Sequence, residues 1–176
     1  MRSEKGFSTA ELVIGIAIAA LVVSAASTAI FQVLRGTDRT NDHLTVNRQV
    51  ENAAFWITRD TQIAEGAFTD NLTSPNFLIF TWRERSYTEG DSIYHSATYL
   101  FQDLSAGVGN LVRRHWSSAG ANEQTLIAKD IYWNPGDTVK TSQASYTNPV
   151  LSLRLTSQAG NAQEMREVQV KRRPNI

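Results

Sequence analysis

FSTAELVIGIAIAALVVSAASTAIFQVL, residues 7–34, is the stretch whose reading decides the fold. From Leu12 to Leu34 no side chain carries a charge, and at about 1.5 Å rise per residue a helix of that length exceeds the roughly 30 Å hydrocarbon core of a bilayer. Glu11 is the only ionisable side chain between Phe7 and Leu34. A carboxylate at the edge of an apolar span is costly, so it marks a functional position that needs a partner.

Ahead of the span lies the polar leader MRSEKG, residues 1–6, with Arg2 and Lys5. These cations hold the leader on the cytoplasmic side and send the rest of the chain outward. An ordinary secretory signal has an apolar region of about 7 to 15 residues. This one is longer and begins with a glutamate, although Ser24-Ala25-Ala26-Ser27-Thr28-Ala29 could imitate a signal-peptidase site. A plain membrane anchor accounts for the apolar run and leaves Gly6-Phe7 and Glu11 without a reason.

Gly6, the apolar Phe7 and Glu11 as fifth residue after the glycine, all directly ahead of the span, resemble the class III signal of type IV pilins and pseudopilins. The resemblance implies a cut between Gly6 and Phe7 by a prepilin peptidase and methylation of the new amino group of Phe7. It also implies that Glu11 pairs with the cationic amino group of Phe7 on a neighbouring subunit, an attraction strengthened in an apolar helix bundle.

The domain layout expected is a leader at 1–6, a transmembrane and assembly helix at 7–34, an exported half of the same helix at 35–66 and a head at 67–176. Val46, Val50, Ala53, Ile57 and Ala64, with Ala54 and Thr61 beside them, recur at three- and four-residue steps and form one apolar stripe, while Arg48, Asn52, Arg59 and Gln62 lie on another face. Gly66 is the expected helix break, confirmed as past the helix by Pro75. A continuous helix from Phe7 to Ala64 would be about 87 Å long. Gly36 and the polar stretch Thr37 to Asp42 are its weak point, where a bend, local melting or a true loop would fall.

From Asn76 the period becomes that of strands. Phe77 to Trp82, Ile93 to Gln102, Leu111 to Trp116, Leu126 to Trp133, Val150 to Thr156 and Arg166 to Arg172 are rich in β-branched and aromatic residues and are separated by Gly, Pro, Asn and Ser. Asp103 to Asn110, with Gly107 and Gly109, predicts a hairpin connection. The fold class expected is α+β, pilin-like, with an antiparallel sheet packed on the exported half of the long helix.

Arg59-Asp60 and Ala64, then Tyr99-Leu100, a turn and Leu111-Val112-Arg113, narrow the resemblance to minor pilins and pseudopilins of the class that includes the type II secretion tip subunit and its type IV pilus counterpart. Thr28 stands where many pilins have a helix-kinking proline, and the cysteine pair of many major pilins is missing. The resemblance implies a structural subunit without catalytic activity, assembled into a pilus or pseudopilus near its tip. Its partners would be other pilin or pseudopilin subunits, the prepilin peptidase and an inner-membrane assembly platform. It would reside in the cytoplasmic membrane with the head exported.

Composition bounds the rival readings. With 17 basic and 17 acidic residues the chain has no general pull toward nucleic acid or anionic lipid, and zero cysteines remove disulfides, thiolate metal sites and cysteine nucleophiles. His43, His95 and His115 are scattered, no HExxH, GxSxG or phosphate loop occurs, and Glu89 and Asp91 around Gly90 read as a solvated turn. No cofactor or metal site is expected, and no EF-hand pattern argues for calcium, although an oxygen-ligated ion would suit a cysteine-free head. The alternative is a membrane-anchored or secreted β-rich binding domain, including one that binds DNA. Arg113, Arg114, His115 and Trp116 mix cations with an aromatic, and Lys171 to Arg173 close the chain. In a strand, however, Arg113 and His115 face one way and Arg114 and Trp116 the other, so nucleic acid is not expected as a partner.

Overall fold

The computed structural model describes residues 8–70, 72–85 and 92–173. It has an α+β layout: one long helix, α1 (Thr9–Ile63), then eight strands, β1 (Gly66–Phe68), β2 (Asn76–Arg85), β3 (Ser92–Ser105), β4 (Val108–Ser117), β5 (Asn122–Tyr132), β6 (Gln143–Thr147), β7 (Val150–Ala159) and β8 (Ala162–Lys171). The chain divides into two compact units at Asn41/Asp42.

In the first unit, α1 is long and apolar enough to cross a membrane. Twelve large apolar side chains from Leu12 to Leu34 are 55–70% exposed. The polar residues within the span are satisfied locally: the hydroxyls of Ser24, Ser27 and Thr28 donate to the carbonyls of Leu21, Val23 and Ser24 at 2.8, 2.8 and 2.9 Å. Such back-bonding hides hydroxyls from an apolar surrounding, which is how a helix keeps Ser and Thr without water. The weak point at 36–42 is helical throughout. Thr37 and Thr40 donate to the carbonyls of Val33 and Gly36 at 2.9 Å each, so their hydroxyls are satisfied within the helix.

In the second unit the helical stripe is buried as the spacing requires. Val46, Val50, Ala53, Ile57 and Ala64 are 0–2% exposed, and Ile57 packs in one core with Leu78, Phe80, Tyr99, Leu111, Ile127, Ile131 and Leu155. Phe80 meets Tyr99 edge-on at 6.0 Å, and Phe101 is stacked on Trp133 at 4.8 Å. The helix ends at Ile63, three residues before the glycine expected to stop it, because Glu65 N–H already donates to Thr81 carbonyl at 2.8 Å and draws the chain into β1.

Every strand pairing is antiparallel, in the order β1-β2-β3-β4-β5-β7-β6, with β8 on the other edge of β7. The six expected strands are present. The expectation missed β1, which has three residues and starts at the glycine read as a helix stop, and β6, a polar five-residue edge strand. The β3–β4 hairpin is tighter than the eight-residue connection expected. Both strands continue to a two-residue turn at Ala106 and Gly107, with φ of 50° and 82°, and Asp103 at φ 54° sits at a register shift. Positive φ at both central residues matches the twist of a two-residue hairpin.

β5 meets β7 only through Ile131 and Ser157. Before that point its outer edge is held by α1 instead: Asn52 Nδ2 donates to Ile127 carbonyl at 2.6 Å, and Lys129 N–H donates to Gln49 Oε1 at 2.8 Å. Two side-chain amides thereby satisfy backbone groups that a neighbouring strand would otherwise take.

Candidate functional site

Glu11 lies in the first turn of α1 and is exposed. Its Oε2 accepts the Ser8 N–H at 3.0 Å, while Ser8 Oγ accepts the Ala10 N–H at 3.3 Å. Glu11 thus makes its half of a capping box, spelled by Ser8 and Glu11 three residues apart just before an apolar run, while the Ser8 hydroxyl caps the N–H one residue short of Glu11. In the sequence Glu11 stands out as an acid at a membrane edge, and the weaker cap signal of Ser8 three residues before it lies under that stronger one. Gly6 and Phe7, the expected cleavage and methylation positions, lie outside the described residues, as do Glu89 and Asp91.

The head gathers its polar residues where the end of α1 meets β2, β3 and β4. Asp60, 1% exposed, receives Tyr99 Oη–H at 2.7 Å on Oδ2, Arg113 Nε–H at 2.6 Å on the same oxygen and Arg113 Nη2–H at 3.1 Å on Oδ1. The fork-to-carboxylate geometry is the strong form of an ion pair. Burial opposes the Arg113 charge, but the hydrogen bond and charge of Asp60 outweigh it and hold the guanidinium above its usual value. Tyr99 is pushed well above the ordinary phenol range, by burial first and by the Asp60 carboxylate second. Arg113 and Arg59 also lie over the Trp56 ring, at 5.5 and 5.4 Å from its centroid. Asp60, Tyr99 and Arg113, named separately on resemblance, are thus one buried network.

Next to it, Trp82, His95 and His115 form a near-parallel aromatic group, with centroids 5.2–5.6 Å apart and ring planes within 9°. His95 Nδ1 and His115 Nε2 are 3.2 Å apart, a ring-to-ring hydrogen bond. Glu84 Oε2 stands 3.2 Å from His95 Nε2, an ion-pair distance whose angles fall short of a hydrogen bond. His115 is lowered below the ordinary histidine value, by burial first, then by Arg113 and His95. Twenty residues separate the two histidines in sequence, and the β3–β4 register brings them together.

The basic run is divided as the strand alternation requires. Arg113 and His115 turn inward, whereas Arg114 and Trp116 are exposed on the other face. At the chain end Arg172 donates to the Glu65 carbonyl. Among the described residues no three His, Asp or Glu side chains converge as metal ligands. A cavity of about 710 Å³ opens between β6, β7, β8 and the start of β2, with Trp133 and the Arg154–Glu167 pair, 2.8 Å apart, on its wall. Set against protein-family models, characterised proteins and solved structures, the chain matches none.

Proposed function

We propose that this chain is a minor pilin or pseudopilin. It would be a structural subunit without catalytic activity, processed between Gly6 and Phe7 and assembled through its apolar helix into a type IV pilus or type II secretion pseudopilus, near the tip. The observation that carries the reading is the unpartnered apolar helix with one acid at its start. Twelve large side chains left more than half exposed in water forgo on the order of 10–20 kcal/mol of burial. That surface calls for a bilayer before assembly and for other helices after it. The α+β layout, with the stripe from Val46 to Ile57 buried on an antiparallel sheet, agrees with a pilin-like head. In this reading the Glu11 carboxylate exchanges its Ser8 N–H for the methylated amino group of Phe7 on a neighbouring subunit.

The capping box dictates the test. Glu11→Ala removes both the charge and the cap, whereas Glu11→Gln keeps an acceptor for Ser8 and loses only the charge. Expressed beside a prepilin peptidase and its assembly machinery, both variants should be cut to a mature chain starting at methylated Phe7, read by intact mass. Both should be lost from sheared filaments or cross-linked initiation complexes. Wild-type incorporation of Glu11→Gln would refute the charge pairing and leave Glu11 a capping residue. Cleavage near Ala26 or Ala29 would return the chain to the secreted class.

A further inference from the structure

The tautomers of the histidine pair follow from its neighbours. A lone pair on His95 Nε2 would face the Glu84 carboxylate oxygen 3.2 Å away and be repelled, so Nε2 carries the proton. His95 Nδ1 is then an acceptor, and His115 Nε2–H must be the donor across the 3.2 Å contact. His115 Nδ1 is left as the free basic nitrogen. A first added proton goes there, and the resulting imidazolium still donates to His95. A second added proton can go only to His95 Nδ1, where it removes the acceptor and sets two cations against each other.

The charges facing the pair have both signs. Glu84 on β2 favours protonation, and so does Glu123, opposite His115 on β5. Arg113, two residues from His115 on the same face of β4, opposes it. Asp60 on α1 is already engaged by Arg113 and Tyr99. Trp82 stacks on both rings and the His95 side chain is 12% exposed, so the contact is shielded on the His95 side, whereas Glu84 is 66% exposed and half-buried His115 meets water.

We propose that His95 and His115 form a single two-step proton-binding site that latches β3 to β4: the latch stays closed with no added proton or one, and a second opens it. The pair then withstands the first protonation and releases this end of the sheet only under stronger acid, independently of how the chain assembles.

The test uses the full chain in detergent micelles with His43→Gln, which leaves two imidazoles in the molecule. Histidine-selective nitrogen NMR against pH should show two macroscopic steps, sensed by both rings and separated by more than about one pH unit. The amides of Ser96 and Trp116, which bond across β3–β4, should keep their protection factors through the first step and lose at least about tenfold across the second once the intrinsic pH dependence of exchange is divided out, one tenfold change corresponding to about 1.4 kcal/mol of opening. Glu84→Gln should move both steps to lower pH. Two independent single-step titrations, or protection lost at the first step or at neither, would overturn the proposal. These readouts come from the folded His43→Gln chain, so they stand even if a variant at Glu84 fails to fold.

Discussion

Replacing Asp60 with alanine isolates the buried network. The carboxylate is 1% exposed and the Arg113 side chain 12% exposed, so its removal leaves a guanidinium in the interior without a counter-charge. Breaking a buried pair on one side costs about 3–5 kcal/mol. Tyr99, 0% exposed, loses its acceptor as well, and an orphaned buried hydroxyl adds about 1–3 kcal/mol. The Trp56 face returns part of this to Arg113, about 0.5–2 kcal/mol. A net loss of about 4–5 kcal/mol removes a large share of the 5–15 kcal/mol typical of a domain. At about 3 °C per kcal/mol, a head beginning at Arg35 should melt roughly 12–15 °C lower. The assay is urea unfolding of that soluble head by tryptophan fluorescence, beside the triple change Asp60→Leu, Tyr99→Phe and Arg113→Met, which removes every member of the network and should recover most of the loss. If Asp60→Ala stays within about 1 kcal/mol of wild type, or the triple variant is no better than the single one, the pairing account is wrong.

Ile57→Ala should cost about 2–5 kcal/mol in the same assay, as for other buried large-to-small changes, because Ile57 is 0% exposed between α1 and the sheet. Gly160→Ala should cost about 1–2 kcal/mol: Gly160 has φ of 56°, and an added methyl would collide with the Asp42 carboxylate. Below about pH 6.5 the head should lose stability. His115 is depressed in the folded state, so the unfolded chain takes up its proton first, and the contribution present above 6.5 fades as pH falls toward the folded value. A urea midpoint that stays flat from pH 7 to pH 5 would contradict this.

Legibility in the sequence followed how local each determinant is. The stripe from Val46 to Ile57 and the strands around Ile93 and Leu111 repeat within a few residues, and the folded chain buries them accordingly. Strand β6, QASYT, has no such signal, because its place comes from pairing with Leu151 to Arg154 rather than from its own side chains. The helix through Thr37 to Asp42 runs against local propensity, and the hydroxyls of Thr37 and Thr40 are accommodated there by bonding carbonyls one turn back. The polar cluster was named in pieces. Asp60 reaches across 53 residues to Arg113, and no spacing rule spans such a distance. Glu11 and Ser8 are the reverse case, a local motif legible from the start and masked by the stronger membrane signal beside it.

The amides of Gln49 and Asn52 have a practical consequence for anyone cutting this head free. They occupy backbone groups of β5 where β7 has diverged, so a protease or a cloning boundary placed beyond Asn52 would strip the cover from a strand whose own sheet remains intact. Bare N–H and C=O groups on such an edge template pairing between copies, and the trimmed head would be prone to aggregate even though its strands are complete. Aggregation of the fragment therefore depends in part on two helix side chains, and because Val46 is itself buried the safe place to trim lies ahead of Val46.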